Sequence, residues 1–185
     1  MTTVAFNEST ITPWPESKPI LTGAEISAAI ALQAKTINAE LGDKPLVALC
    51  VMTGGLVYSG HLLPLLTMPL LLDVIRVTRY RDGTQGGDTL DWIVTPKNSL
   101  DGARVLLMDD IFDEGKTLEA LEAWVLGQGA SEVYSAVMVD KIHARKPANY
   151  RPQFIACEVP DEYVFGMGMD YQGAWRNANG IWALV

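Results

Sequence analysis

Acidic residues and a Gly-Lys-Thr triplet lie close together between an apolar segment and an amphipathic one. Backbone N–H groups at the start of a helix, next to a glycine without Cβ, commonly bind phosphate. Carboxylates need another partner, such as sugar hydroxyls or Mg²⁺. The segment therefore predicts a ligand that combines a phosphate with hydroxyl groups or a metal. The residues concerned are Asp109, Asp110, Asp113, Glu114, Gly115, Lys116 and Thr117.

Two simpler interpretations account for only part of this segment. A Walker A loop has a glycine five residues before its last glycine, and here that position is Asp110, whose carboxylate would face the triphosphate. Acidic residues also stabilise the first turn of a helix, which accounts for Asp113 or Glu114. Helix stabilisation does not account for two adjacent acids after an apolar strand. A phosphorylated ribose that carries a magnesium pyrophosphate has all the required parts.

The surrounding sequence predicts the elements that position these residues. Apolar segments at 45–52, 70–77, 104–108 and 132–140 are typical of buried strands. Helices are predicted between them, from a Thr22/Glu25 capping box to Gly42, from about residue 56 to Pro64, and over 117–128. This alternation predicts an α/β fold with a mainly parallel central sheet flanked by helices, and ligands bind at the carboxyl ends of such strands.

The remaining segments are less regular. Residues 1–21 contain three prolines and are expected to form an extended arm. Residues 78–91 are polar and glycine-rich without a core pattern, and "WIVT" after them is a candidate returning strand. Further strands are predicted over 151–160 and at the C-terminal end, with a loop around 163–171.

Composition excludes several classes of protein. The chain has 185 residues, 49% of them hydrophobic, which is enough for a sizeable core. Its net charge of −8 argues against a nucleic-acid-binding surface. No apolar run is long enough to span a membrane, and no signal peptide is visible. Cys50 and Cys157 lie in apolar runs typical of free buried thiols, so we expect a cytoplasmic protein without a disulfide or a zinc site.

The order of several motifs resembles that of a known family. "VLLMDDIFDEGKTL" (105–118) is similar to the signature of type I phosphoribosyltransferases, which bind 5-phosphoribosyl pyrophosphate (PRPP). From about residue 44 onwards the chain resembles the hypoxanthine-guanine phosphoribosyltransferases. The motifs that carry this resemblance are "VALCVMTGG" (47–55), Arg79-Tyr80, residues 105–118, Lys141, "VPDEYVFGMGMDY" (159–171) and Arg176.

The resemblance implies a fold, an activity and partners. It implies the type I phosphoribosyltransferase fold in a single domain over 1–185, with a core at about 22–150 and a small hood from 1–21 and 151–185. It implies transfer of the phosphoribosyl group of PRPP to hypoxanthine or guanine, which gives IMP or GMP plus pyrophosphate in purine salvage. Mg²⁺ is the implied cofactor, small molecules are the implied substrates, and a homodimer or homotetramer is the implied assembly.

The resemblance also implies a PRPP site. Asp109 and Asp110 would hold the ribose hydroxyls directly or through Mg²⁺, and the segment from Asp113 to Thr117 would bind the 5′-phosphate. Thr53, Gly54 and Gly55 would bind the pyrophosphate through a loop whose first peptide, Met52–Thr53, can be cis. The family often has lysine where this chain has Thr53, which leaves the role of the Thr53 side chain open. On the motif alone, Gly54-Gly55 is equally consistent with a tight turn.

The other implied roles concern the base and the closure of the site. Asp113 would accept a proton near purine N7, which agrees with the need for a carboxylate base. Lys141 would donate to the 6-oxo group, although a lone lysine at a strand end is usually just solvated. The other residues have roles that the resemblance alone implies. Tyr163 would stack on the base, and the backbone at Val164 would contact its edge. Asp170 would bind a second Mg²⁺ or the exocyclic group of guanine, Arg176 would reach the pyrophosphate, and Arg79-Tyr80 would begin a lid.

Simpler interpretations of these residues are also consistent with the sequence. Tyr163 is also consistent with a half-buried aromatic of the hood, Arg176 with a surface charge, and His61 and His143 with structural or surface positions. A xanthine-preferring enzyme and a PRPP-binding regulatory protein that binds RNA are the alternative functions. The residues do not rank hypoxanthine, guanine and xanthine, whereas the charge of −8 counts against the RNA-binding alternative.

Overall fold

A computed structural model of the chain describes residues 12–80 and 89–185, and helices alternate with strands along them. The helices are α1 (Gly23–Leu41), α2 (Gly55–Leu62), which continues into a 3-10 turn over Leu63–Leu65, and α3 (Lys116–Gly127). The strands are β1 (Ser17–Thr22), β2 (Leu46–Val51), β3 (Leu70–Tyr80), β4 (Thr89–Val94), β5 (Arg104–Phe112), β6 (Glu132–Lys141), β7 (Phe154–Val159), β8 (Val164–Phe165) and β9 (Gly180–Leu184).

A six-stranded sheet with the order β4-β3-β2-β5-β6-β7 forms the centre of the fold. All neighbours in it are parallel except β3 and β4. Side chains of α1 and α2 pack in one apolar cluster on the sheet, and side chains of α3 pack in a second cluster. Every residue of β2 is buried, as expected for a central strand covered on both faces. The predicted mainly parallel α/β architecture is therefore confirmed.

The predicted boundaries of α1 and its contacts illustrate how the helices are fixed. The Thr22 side chain accepts from the Glu25 N–H and the Glu25 carboxylate accepts from the Thr22 N–H, so the predicted capping box is present. On the buried face, Gln33 donates to the Val137 carbonyl at 2.9 Å and accepts from the Tyr58 hydroxyl at 2.7 Å. This buried chain joins α1, α2 and β6 without leaving its polar atoms unpaired.

A second sheet of three strands, in the order β1-β9-β8, joins the N- and C-terminal parts of the described chain. Its presence agrees with a hood made from both ends, although the first eleven residues lie outside the described part. The predicted hood boundary at residue 151 needs a correction, because β7 pairs in parallel with β6 at the edge of the large sheet. The predicted loop at 163–171 also contains β8.

Two strands are longer than predicted. The apolar pattern ended β5 at residue 108, but the strand continues through Asp109 and Asp110 to Phe112, which pairs with Asp140. Backbone hydrogen bonds do not depend on side-chain polarity, so carboxylates at a ligand-binding edge can belong to the strand. Similarly, β3 extends to Tyr80 and pairs with β4 from Thr89, so the polar segment 78–91 begins and ends in strand. Within the described residues, no helix is long and apolar enough to cross a membrane.

Candidate active site

The segment between β5 and α3 encloses a cleft at the carboxyl end of the sheet. The cleft has a volume of about 380 Å³, and its lining includes Asp109, Asp110 and all five residues from Asp113 to Thr117. A larger groove of about 530 Å³ lies at the other end of the strands, between Pro45, Leu70 and Arg104, and includes none of the predicted site residues. The chemistry suggested by the sequence therefore belongs to the smaller, more polar cleft.

Gly115 determines the shape of the phosphate-binding segment. Its φ of +76° lies in the left-handed region, where other residues are strained. A Cβ at this position would also lie 2.3 Å from the Phe112 ring. As the residue before α3, Gly115 offers no side chain to cap the helix, and the first residues of α3 line the cleft. This geometry suits a bound anion.

The carboxylates of Asp109 and Asp110 lie near the C-terminal end of β5, and their negative charges repel each other. Asp110 is buried and Asp109 is partly buried. Desolvation, and then the neighbouring charge of Asp110, hold the pKa of Asp109 well above its usual value. Desolvation also raises the pKa of Asp110, although the positive charge of Arg176 acts in the opposite direction. Two adjacent carboxylates with little neutralising positive charge are suitable ligands for a hard divalent cation.

The loop between β2 and α2 packs directly against these carboxylates. Its first peptide bond, Met52–Thr53, is cis, as the resemblance implied. A Cβ on Gly54 would lie 1.9 Å from Asp110 Oδ2, and a Cβ on Gly55 would lie 2.6 Å from the Met108 carbonyl oxygen. Both glycines are therefore required by close approach to β5, in addition to any role in binding a ligand.

Asp113 is held by two side chains from the end of β6 and the loop after it. Lys141 Nζ donates to Asp113 Oδ2 at 2.6 Å, and His143 Nε2 lies 2.7 Å from Asp113 Oδ1. Desolvation acts to raise the pKa of Asp113, but the hydrogen bonds from Lys141 and His143 outweigh it and lower the pKa below its usual value. The structure thus brings Asp113 and Lys141 together, although they are far apart in sequence.

The sequence did not predict the contact between His143 and Asp113. We expected a structural or surface histidine, and its side chain is indeed only 3% exposed, but it faces the candidate catalytic carboxylate. Lys141 and His143 are two residues apart, and alternate residues of an extended chain lie on the same side. That spacing was the one available signal, and it could not indicate that Asp113 lies opposite.

Four of the remaining predicted residues, Tyr163, Val164, Asp170 and Arg176, lie in or near the three-stranded sheet. The side chain of Arg176 donates to the Gly168 carbonyl at 2.6 Å and to Asp170 Oδ1 at 2.5 Å. The other oxygen of Asp170 accepts from the Gly173 N–H, so both its oxygens are engaged within the hood. A Cβ on Gly168 would lie 2.2 Å from the Gly54 carbonyl oxygen, which places this hood loop against the loop after β2.

Tyr163 and Val164 differ in exposure. Tyr163 is 51% exposed and donates its hydroxyl to the Asp170 carbonyl at 3.2 Å, whereas Val164 is buried in β8. The exposed ring is free to contact a planar ligand. The backbone of Arg79 and Tyr80 ends β3, while their side chains and residues 81–88 lie outside the described part of the chain. The lid assigned to this segment therefore stays a prediction.

Comparisons with known proteins agree with this geometry. The family described as the phosphoribosyl transferase domain matches residues 17–173. Hypoxanthine-guanine phosphoribosyltransferases of Pan troglodytes and Mus musculus are each 31% identical over 157 residues, which cover 80% of this chain and 72% of theirs.

Solved structures show the same fold. A hypoxanthine phosphoribosyltransferase of Staphylococcus aureus has a TM-score of 0.84 at 24% identity and covers 91% of each chain. A hypoxanthine phosphoribosyl transferase of Trypanosoma cruzi has a TM-score of 0.84 at 23% identity and covers 94% of each chain. From the extent of the family match and the identity to these relatives, the chain belongs to the phosphoribosyltransferase family.

Proposed function

We propose that this protein is a purine-salvage phosphoribosyltransferase that converts hypoxanthine or guanine, with PRPP, to IMP or GMP and pyrophosphate. The observation that carries the proposal is the contact between Lys141 and Asp113 beside the phosphate-binding segment. The Lys141 ammonium is able to donate to a 6-oxo group, and the Asp113 carboxylate beside it is able to accept a proton. The relatives at 31% identity carry the name of this activity.

The PRPP site is assembled from three segments. The N–H groups at the start of α3, with Gly115, Lys116 and the Thr117 hydroxyl, bind the 5′-phosphate. The carboxylates of Asp109 and Asp110 accept hydrogen bonds from the ribose hydroxyls. Backbone N–H groups around Thr53, Gly54 and Gly55 bind the pyrophosphate, with Glu114 beside the phosphate and Arg176 as a nearby cation.

Magnesium fits the same carboxylates. Asp109 and Asp110 are adjacent oxygen ligands, and desolvation by burial raises the pKa of both carboxyl groups. When bound there on the pyrophosphate, Mg²⁺ would neutralise the charge of the leaving group. Asp170, the other predicted ligand, would first have to exchange its ion pair with Arg176.

In the proposed reaction, Asp113 accepts the proton that the purine loses. An incoming purine offers O6 to Lys141, which leaves Asp113 Oδ2 and frees that oxygen. The N9 lone pair then forms the bond to the ribose anomeric carbon while the bond to pyrophosphate breaks. The N7 proton passes to Asp113, which returns the purine to its neutral form. Tyr163 stacks on the base, and backbone groups around Val164 contact its edge.

The test is an activity assay in which each of five bases is combined separately with PRPP. Purified protein is incubated with Mg²⁺, PRPP and hypoxanthine, guanine, xanthine, adenine or uracil, and nucleotides are separated by chromatography. Formation of IMP and GMP, with little or no AMP and UMP, supports the proposal. A dominant xanthine product overturns the assignment of the base. No product from any base overturns the assignment as an enzyme, and a salt-dependent RNA-binding assay then tests the regulatory alternative.

Two further proposals concern assembly and location. We propose a homodimer or homotetramer, because Leu65, Leu71 and Leu72, within one short segment of the chain, are 41%, 58% and 53% exposed. Size-exclusion chromatography with light scattering tests this proposal, and a monomer at micromolar concentration overturns it. We propose a cytoplasmic location, since Cys50 and Cys157 are free thiols, which suits a reducing compartment.

A further inference from the structure

His143 has a defined tautomer in this structure. The backbone N–H of Arg145 donates to His143 Nδ1 at 3.1 Å, so Nδ1 is an acceptor and carries no proton. The proton of the neutral ring therefore lies on Nε2, which is 2.7 Å from Asp113 Oδ1. His143 consequently donates to the carboxylate, and its own orientation is set by a main-chain group.

The elements around His143 make it a rigid support. The His143 side chain is 3% exposed, compared with 11% for the side chain of Lys141. The Arg145 guanidinium, whose residue supplies the N–H to Nδ1, forms two hydrogen bonds to Asp161 at 2.7 and 2.6 Å. This pair connects the loop after β6 to the segment that leads into β8. The imidazole is thus confined at both nitrogens, whereas Lys141 can move at the end of a flexible side chain.

We propose that His143 is a positioning residue, which holds Asp113 by Oδ1 while Lys141 leaves Oδ2 for the 6-oxo group of the base. This inference rests on the proposed function, since it concerns the step in which Asp113 accepts the N7 proton. Without His143, the exchange of Lys141 would leave the carboxylate with neither of its two partners. Asp113 is 41% exposed, so solvent would then compete for it and its orientation would be lost.

The proposal makes a specific kinetic prediction. His143→Leu should lower kcat for IMP formation about tenfold or more, because the hydrogen bond that orients the catalytic base is removed. The KM for PRPP should stay within about twofold, since no part of the phosphate-binding segment is changed. His143→Gln keeps an N–H donor of similar reach and should retain kcat within about fivefold of the wild type. His61→Leu, at the exposed histidine of α2, is the matched control and should leave kcat unchanged.

A double-mutant cycle separates positioning from a structural role. If His143 acts through Asp113, adding His143→Leu to Asp113→Asn should lower kcat little beyond the single Asp113→Asn change. A purely structural role would make the two losses multiply and would lower the melting temperature of both His143 variants. Nitrogen-15 NMR of labelled histidine should show a neutral ring with the proton on Nε2, and this readout needs no activity.

The outcomes can be distinguished from failure of the proposed function. An inactive wild type in the base panel overturns both the function and this inference. An active wild type with unchanged kcat in His143→Leu, or with fully multiplicative losses in the cycle, overturns the role of His143 alone. A neutral ring with its single proton on Nδ1 in the NMR spectrum also overturns it, because Nε2 could not then donate to Asp113.

Discussion

Gly54→Ala provides a test of the site that uses a single methyl group. Gly54 has ordinary helical dihedral angles, so alanine imposes no backbone strain there. Its Cβ would nevertheless lie 1.9 Å from Asp110 Oδ2 and 2.5 Å from Asp110 Cγ, whereas real Cβ contacts stay beyond 3.0 Å. Because the nearest atoms belong to a side chain, Asp110 must turn away from its position, by about 1 Å or more.

The magnitude follows from what Asp110 does in the proposed reaction. A displacement of about 1 Å in a group that positions a substrate can cost on the order of 100-fold, so we expect kcat/KM for PRPP to fall by about that factor. The assay is initial-rate IMP formation at saturating hypoxanthine with varied PRPP, together with the melting temperature of each protein.

Gly60→Ala is the matched control for this experiment. Gly60 lies six residues further along the chain, within α2, and nothing lies within 4 Å of a Cβ built there. Alanine should leave activity unchanged and stabilise the helix by about 0.5–1 kcal/mol. Wild-type kcat/KM for PRPP in Gly54→Ala, with an intact fold, would refute the placement of Asp110 in the PRPP site.

Four further predictions concern individual side chains. Asp113→Asn should lower kcat at least about 100-fold with a smaller change in PRPP affinity, and equal losses in both would contradict its role as base. Lys141→Ala should raise the KM for hypoxanthine and leave the KM for PRPP unchanged. It should also move the acid limb of the pH profile of kcat/KM to higher pH. The reason is that the pKa of Asp113 rises without Lys141, so the carboxylate is protonated at a higher pH. Thr53→Lys should tighten inhibition by pyrophosphate if that side chain faces the leaving group, and an unchanged inhibition constant would show that it does not. Burial raises the pKa of Cys157 to about 11, so a thiol reagent should modify it slowly at pH 8 and faster as pH rises toward 11; rapid labelling of the folded protein at pH 8 would contradict the burial.

Local patterns predicted much of the fold because they depend on interactions between near neighbours. Thr22 and Glu25 are three residues apart, and their reciprocal hydrogen bonds form within one turn of α1. The apolar run of β2 likewise required burial on both faces, whatever its partners. The end of β5 was not predictable in the same way, because Asp109 and Asp110 stay in the strand through pairing with β6.

The sequence predicted the chemistry of the candidate site more completely than the spatial arrangement of its residues. The acids and Gly115 indicated a phosphate and hydroxyl site from one continuous segment. The partners of Asp113 come from a segment almost thirty residues further on, and only the parallel register of β5 with β6 brings them together. The requirement for Gly54 has the same origin, since its neighbour Asp110 belongs to another strand.

The ion pair between Lys141 and Asp113 also explains how the base could be selected. Binding must separate two groups that are 2.6 Å apart, and the 41% exposure of Asp113 limits the cost to about 1 kcal/mol. A 6-oxo group repays that cost, because it gives Lys141 a new acceptor as Asp113 Oδ2 turns to the N7 proton. The 6-amino group of adenine is a donor and would leave Lys141 largely buried without an acceptor, which costs more than the lost contact itself. For the proposed function, we therefore expect discrimination against adenine to arise from the same exchange that frees Asp113.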